Sequence, residues 1–247
     1  MSLIASLSQQ HTFAKPLLIE PRQNQLLASL TQEVQLQILP FLEQVDFSLN
    51  QVLCEPGKIP SHMYFPTTAI TSLFYFTENG NTSEIAVVGN EGVVGMSLFF
   101  SGTYLPYQAI VQTAGQGFRM NAPRAINAFN FSAEMQNILL HYSLSMISQI
   151  SQTVVCNRHH TIDQQLCRRL LLALDRLPTN QILATHEILA RMLGVRRESI
   201  TQSANKLLTD GVIDYKRGLI TVINRQGLES RVCECYEKPS RYSSNCN

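Results

Sequence analysis

The sequence predicts an α+β chain with an antiparallel β barrel or jelly roll first, one long central helix next, and a C-terminal unit of helix, tight turn, helix and β hairpin. Three observations carry that expectation. Between Phe47 and Met120, β-branched and aromatic residues come in short runs separated by Gly, Pro and Asn, which is the pattern of many short strands. From Phe131 to Asn157 apolar residues recur four and three apart, a sustained helical period. From Thr185 to Val222 the period is helical, broken at Gly194, helical again, and then strand-like. With 247 residues and 45% hydrophobic content, the chain has material for two domains with cores of their own.

Residues 1–25, with Pro16, Pro21 and several Gln and Ser, are expected to be a flexible lead-in. A barrel domain follows over 26–130. It opens with helical spacing from Leu26 to Val45, where Thr31 and Glu33 suit a helix start and Pro40 interrupts. Ala69–Thr77, Thr82–Val88 and Ala109–Thr113 are strand candidates, and Glu78-Asn79-Gly80-Asn81 is a hairpin signal, because Asn-Gly accepts positive φ. Gly89, Gly92 and Gly95 mimic a phosphate-cradling loop, but no Lys-Ser or Lys-Thr follows, so turn geometry is the better explanation.

In the long helix, 131–157, Met135, Leu139, Tyr142, Met146, Ile150 and Thr153 form a narrow stripe. Such a stripe is either the seam of two paired helices or the face by which a helix packs on its own barrel. The last domain spans 158–236, leaving 237–247 as a loose tail. Asn157–Asp163 is the expected junction, and Arg158–Leu177 a helix whose Ile162, Leu166, Leu170, Leu171, Leu174 and Leu177 pack under the rest of that domain. Pro178-Thr179-Asn180 breaks the chain, and Arg225–Tyr236 is expected to close it with a short helix.

Within that domain Ile188, Leu189, Met192 and Leu193 mark one buried helix face, and Ile200, Ala204, Leu207 and Leu208 a second. Gly194 can end the first helix in the left-handed conformation, Val195 can plug the angle, and Asp210-Gly211 stops the second helix. Val212, Ile213, Tyr215 and Leu219–Val222 favour strands around the basic turn Lys216-Arg217-Gly218. The second helix displays Arg196, Arg197, Glu198, Thr201, Gln202 and Asn205, side chains that hydrogen-bond phosphates and base edges. Those are the parts of a winged helix-turn-helix that reads duplex DNA. Short amphipathic helices joined at a glycine also occur in enzymes and bundles, so charge adds weight. Residues 1–157 hold five Lys/Arg against nine Asp/Glu, a net −4, whereas 158–231 hold twelve against seven, a net +5. The positive half is the one that would meet a polyanion.

L-G-V-R-R-E-S-I at Leu193–Ile200, the following K-L-L and the D-Y-K-R-G wing together resemble the winged helix-turn-helix of the Crp/Fnr superfamily of bacterial transcription regulators. The resemblance runs from about Leu26 to the tail, and Arg158–Pro178 with the late C-E-C-Y resembles one subgroup. It implies a cyclic-nucleotide-binding-like barrel, a dimerisation helix, and double-stranded DNA and RNA polymerase as partners; a cytoplasmic location is expected by default, since the sequence supports neither a secretory signal nor a membrane span. Position by position, Arg197 and Glu198 stand where family members contact base edges, and Gln202, one turn on, stands where the best-known members have arginine, so the preferred site should differ. Thr185, Arg196, Thr201, Lys216 and Arg217 would contact the DNA backbone. Because a helix-turn-helix reads paired half-sites only when two copies are held symmetrically, a homodimer is expected along the long helix, with Met135, Leu139, Tyr142, Met146 and Ile150 as its seam.

The resemblance would place an effector pocket around Gly95, Met96, Tyr107 and Gln108. Where the family's cyclic-nucleotide clamp has Gly-Glu this chain has Gly95-Met96, and Met96–Phe118 contains no charged residue. Burying a phosphate without a paired cation is costly. Cyclic AMP is therefore not expected as a tight ligand, although Arg119 and Arg124, later in the chain, offer partial compensation. Neither a cofactor nor a metal is expected: one Cys precedes Cys156, the C-x-C at Cys233 and Cys235 has no histidine near it in sequence, and His159-His160 cannot point the same way on a helix. No catalytic constellation is present, and no apolar run long enough to span a membrane. The rival reading is a regulator whose C-terminal unit docks a protein; sequence-blind DNA binding would favour it.

Overall fold

A computed structural model describes residues 19–100 and 105–236 of the chain. The tail 237–247 and residues 1–18 of the expected lead-in lie outside the described residues. The part of the lead-in that is described is not loose. Ile19 is buried, and the fully buried Asn24 caps helix α1 (Gln25–Ser29) by accepting from Leu27 N, while its amide donates to Pro66 O and Gly92 O at 2.9 Å each. Helix α2 (Gln32–Ile38) follows Thr31, as the sequence suggests, and gives way at Pro40 to a single 3-10 turn over Leu39–Phe41.

Strands β1 (Glu43–Phe47), β2 (Val52–Cys54), β3 (His62–Pro66), β4 (Ile70–Phe76), β5 (Thr82–Val88), β6 (Tyr107–Thr113) and β7 (Gly115–Asn121) form two antiparallel sheets, ordered β1-β7-β3 and β2-β6-β4-β5. Phe47, Leu53, Leu73, Ala86, Val88, Ala109 and Val111 fill the space enclosed by them. The β4–β5 hairpin turns at Gly80, whose φ of +79° is the conformation its Asn-Gly dipeptide was expected to supply. Gly89–Glu91 make a turn, Val94 then bridges to Tyr64 of β3, and a side chain at Gly92 would collide with Tyr142, its Cβ 2.5 Å from the hydroxyl oxygen.

Helix α3 (Ala122–Phe131) is capped by Asn121, and α4 (Ala133–His159) by Ser132, whose hydroxyl accepts from Met135 N. The long helix starts and ends two residues later than the expected 131–157, and its narrow stripe faces inward. Met135, Leu139 and Tyr142 are buried in a core shared with Leu26, Phe65, Val93 and Met120, and Met146 and Ile150 pack against the barrel interior. Tyr142 donates to Val93 O at 3.0 Å. Of the expected dimer seam, Met135, Leu139 and Tyr142 are thus buried against the chain's own barrel, and Met146 and Ile150 are half-buried beside it. The opposite face exposes Leu140, Leu144, Ile147, Val154 and Val155.

Helix α5 (Ile162–Leu174) starts in a capping box between Thr161 and Gln164. A three-stranded sheet ordered β8-β10-β9, from β8 (Gln181–Leu183), β9 (Ile213–Lys216) and β10 (Leu219–Val222), packs with helices α6 (His186–Leu193) and α7 (Arg197–Thr209) over the apolar face of α5. Helix α8 (Arg225–Glu229) stops well short of the expected Tyr236, and 230–236 continue as turns.

The two halves share a core, in which Ile70, Phe74 and Val87 of the barrel join Leu166, Leu170, Leu189 and Met192. Two buried ion pairs cross the same boundary. Arg169 Nε lies 2.7 Å from Glu84 Oε1, and Arg176 Nη2 lies 2.7 Å from Glu91 Oε1. Burying such charges is tolerable because Arg169 Nη2 donates to Glu84 Oε2 at 3.1 Å and Arg176 Nε donates to Glu91 Oε1 at 2.7 Å.

Candidate nucleic-acid interface

The helix-turn-helix is built by local signals at each end. Thr185 caps α6, its hydroxyl accepting from Ile188 N at 3.2 Å. Gly194 ends that helix with a φ of +66°, and Val195 N donates to Ala190 O at 3.0 Å. Arg196 is the extended residue ahead of α7, and its side chain makes no capping bond, so it projects beside the helix N-terminus. That end carries unpaired N–H groups and the positive end of the helix dipole, a favourable place for phosphate.

Ile200, Ser203, Ala204 and Leu207 face inward, which leaves Arg196, Arg197, Glu198, Gln202 and Asn205 exposed on the outer side of α7. The helix is held against α5 by Asp163, which accepts from the Ser203 hydroxyl and lies 2.7 Å from Lys206 Nζ. Those contacts, led by Lys206, hold the Asp163 carboxyl below its usual range. Among the described residues Arg196, Arg197 and Arg217 enter no ion pair. These cations are left unneutralised, in contrast to Arg169 and Arg176.

The Thr201 hydroxyl, expected to meet the DNA backbone, is also engaged within the domain. It donates to Arg197 O at 3.1 Å and lies 3.1 Å from His186 Nδ1. His186 in turn stacks on Tyr215 of β9, with ring centroids 4.4 Å apart and planes 20° apart. One imidazole thus ties the start of α6, the face of α7 and the wing together. Burial, and secondarily the charge of Arg197, hold His186 below its ordinary 6.5. Sequence reading missed it because the contact joins three elements distant along the chain.

In the wing, Lys216 and Leu219 pair across a two-residue turn in which Arg217 and Gly218 both have positive φ, +51° and +83°. That is the geometry of a tight hairpin with right-handed strand twist. Lys216 and Arg217 are exposed, and Lys216 Nζ lies 2.8 Å from Asp214 Oδ2.

The expected effector-pocket residues come from different elements of the barrel domain. Gly95 and Met96 form the buried start of a 3-10 turn beside β3, with Gly95 close to the His62 carbonyl. Tyr107 and Gln108 lie on the other sheet, opposite Tyr75 and Phe74, and Gln108 donates to Glu55 Oε2 at 3.0 Å. The two arginines considered as compensation are engaged elsewhere, Arg119 in an exposed pair with Glu43 and Arg124 over the Phe41 ring. The expectation that no residues could hold a metal needs correction, because folding brings Cys156, His160, Cys233 and Cys235 together.

Comparison with known proteins agrees with this architecture. A model of the cyclic nucleotide-binding domain matches residues 44–130, and a model of the Crp-like helix-turn-helix domain matches residues 164–231. No curated protein matches the chain. Among solved structures it is similar to a Crp/Fnr-family transcriptional regulator from Eubacterium rectale, at 16% identity and a TM-score of 0.66 over 85% of this chain and 98% of that one. A Crp/Fnr-family regulator from Thermus thermophilus matches at 21% identity and a TM-score of 0.63, over 81% of this chain and all of that one (100%). FixK2 from Bradyrhizobium japonicum matches at 13% and 0.64, over 78% and 98%. With a cyclic nucleotide-binding-type domain, a long helix and a Crp-like helix-turn-helix in that order, the chain belongs to the Crp/Fnr superfamily of DNA-binding transcription regulators.

Proposed function

We propose that this regulator acts in the cytoplasm as a homodimer that reads a two-fold symmetric duplex site, with Arg197, Glu198 and Gln202 meeting base edges and Thr185, Arg196, Lys216 and Arg217 meeting the backbone. The observation that carries this reading is that Arg196 and Arg197 at the start of α7 and Arg217 in the wing are exposed and, among the described residues, enter no ion pair. Arg197 offers a bidentate donor to guanine, and Glu198 an acceptor to cytosine. Arg196 and the wing residues carry charge to phosphate.

Dimerisation would use the outer face of α4. Leu140, Ile147 and Val154 recur every seven residues, with Leu144 between them, and all four are exposed. An apolar stripe of this kind on a long helix fits a second copy of itself. RNA polymerase is the partner through which a bound dimer would act on transcription. The effector, if one is used, would not be cyclic AMP, since the clamp position is Gly95-Met96 and the candidate arginines pair with Glu43 and Phe41.

Sedimentation of the wild type and of Leu144→Glu tests the arrangement. A dimeric wild type and a folded, monomeric variant that has lost specific DNA affinity are expected. A dimeric Leu144→Glu would reject this face as the seam.

A further inference from the structure

The strongest unassigned chemistry lies at the end of the long helix. Cys156 is on the last turns of α4, His160 caps that helix, and Cys233 and Cys235 come from the turns after α8. Their four candidate ligand atoms all lie within 4.8 Å of one another. Cys156 Sγ is 3.6 Å from Cys233 Sγ, and Cys235 Sγ is 3.6 Å from His160 Nδ1. A tetrahedral zinc, with bonds of about 2.3 Å to sulfur and about 2.0–2.1 Å to nitrogen, sets its ligand atoms roughly 3.5–3.8 Å apart. The three cysteines are buried and form a cluster of their own, separate from the aliphatic cores.

We propose that Cys156, His160, Cys233 and Cys235 form a closed structural zinc site of the Cys3His type. Their surroundings are arranged as an outer shell would be. His160 Nε2 lies 3.2 Å from Glu234 Oε1, which favours the proton on Nε2 and leaves the Nδ1 lone pair toward the sulfurs. Arg168 donates to Cys235 O at 2.9 Å, placing a guanidinium beside a centre whose three thiolates and one dication sum to a single negative charge. Gln165 donates to His160 O at 2.9 Å and fixes the end of α4. The spacing suits one metal ion better than an iron–sulfur cluster, whose thiolates grip separate corners.

The sequence positions give the site its purpose. Cys156 and His160 are one helical turn apart, and Cys233 and Cys235 lie beyond the whole DNA-reading domain. A metal bound there ties the end of that domain to the end of the long helix. It fixes the junction through which the reading helices are oriented. On binding, the three thiols lose their protons to solvent as the Zn–S bonds form, and no oxidation state changes.

The test is metal content of the full chain, produced with zinc supplied, purified with a non-chelating reductant and dialysed. About one zinc per chain is expected to remain, as structural sites bind tightly. Cobalt exchanged into the same protein should give intense visible bands of tetrahedral geometry and a near-ultraviolet thiolate charge-transfer band. Both should be lost in Cys233→Ser/Cys235→Ser and kept in Cys54→Ser. Strong chelation should lower the thermal midpoint, with zinc restoring it. The cobalt spectrum of the wild type does not depend on the variants folding. A wild type with negligible zinc and no tetrahedral cobalt spectrum, an iron–sulfur chromophore, or a Cys156–Cys233 disulfide under these conditions would overturn the assignment.

Discussion

Arg197 and Lys216 are both exposed cations, yet their places give them different consequences. Arg197 sits in the first turn of α7 and can address a base edge, so Arg197→Ala should cost about 1–3 kcal/mol of discrimination at one base pair. Lys216 lies in the wing, where the proposed function gives it a phosphate contact. Lys216→Ala should weaken all duplexes alike and reduce the salt slope by about 1. Binding titrations on specific and random duplexes at several salt concentrations separate the two, and equal losses on both duplexes would remove the distinction. His186 makes a prediction of another kind. Its folded value lies below the 6.5 of the unfolded chain, so its stabilising effect is complete above pH 6.5 and is lost as pH falls through the folded value. Thermal midpoints of the wild type should therefore decline on acidification more than those of His186→Phe; parallel curves would contradict this. Gly194, Arg196 and Gly218 were legible because caps and tight turns are written in neighbouring residues. His186 and Thr201 were not, since their roles depend on Tyr215 and on each other.

At the scale of elements, α4 shows why a periodicity identifies a helix more readily than its partner. Two stripes run along it at similar spacing, and the one richer in large residues was taken by the barrel. Tyr142 fixes that choice, with its hydroxyl on Val93 O and its ring against Gly92. Removing the hydroxyl in Tyr142→Phe strands a buried carbonyl and should cost about 1–2 kcal/mol in urea unfolding. Glu84 is a harsher test of packing between elements. It lies buried in β5, accepting from Ser72 and meeting Arg169 of α5. Glu84→Ala would leave that arginine charged and unpaired, at a cost of about 3–5 kcal/mol. A loss below about 1 kcal/mol, the level of an exposed pair, would show that the two halves do not dock as described. Neither ion pair was legible in the sequence, because Glu84 and Glu91 alternate like any strand and turn residues until α5 is laid across them.

For the whole molecule, the division of charge was legible early and has a structural counterpart. The acidic half forms the barrel and long helix, and the basic half presents α7 and the wing. The order of the domains was likewise readable, because strand runs, a long helical period and a helix-turn-helix are each local patterns. The sequence withheld how distant segments meet: the face of α4 that stays exposed, the docking of α5 on the barrel, and the approach of residues 233–235 to the end of α4. The central claim is that this molecule reads a two-fold symmetric DNA site with α7. Its most direct measurement is selection of genomic duplex fragments by the purified, effector-free protein at near-physiological salt, with sequencing of the retained fragments. The account predicts an enriched palindrome, with half-sites about one helical turn apart, whose preferred bases change in Arg197→Ala. Retention without sequence preference, unchanged when cell extract supplies an effector, would contradict it.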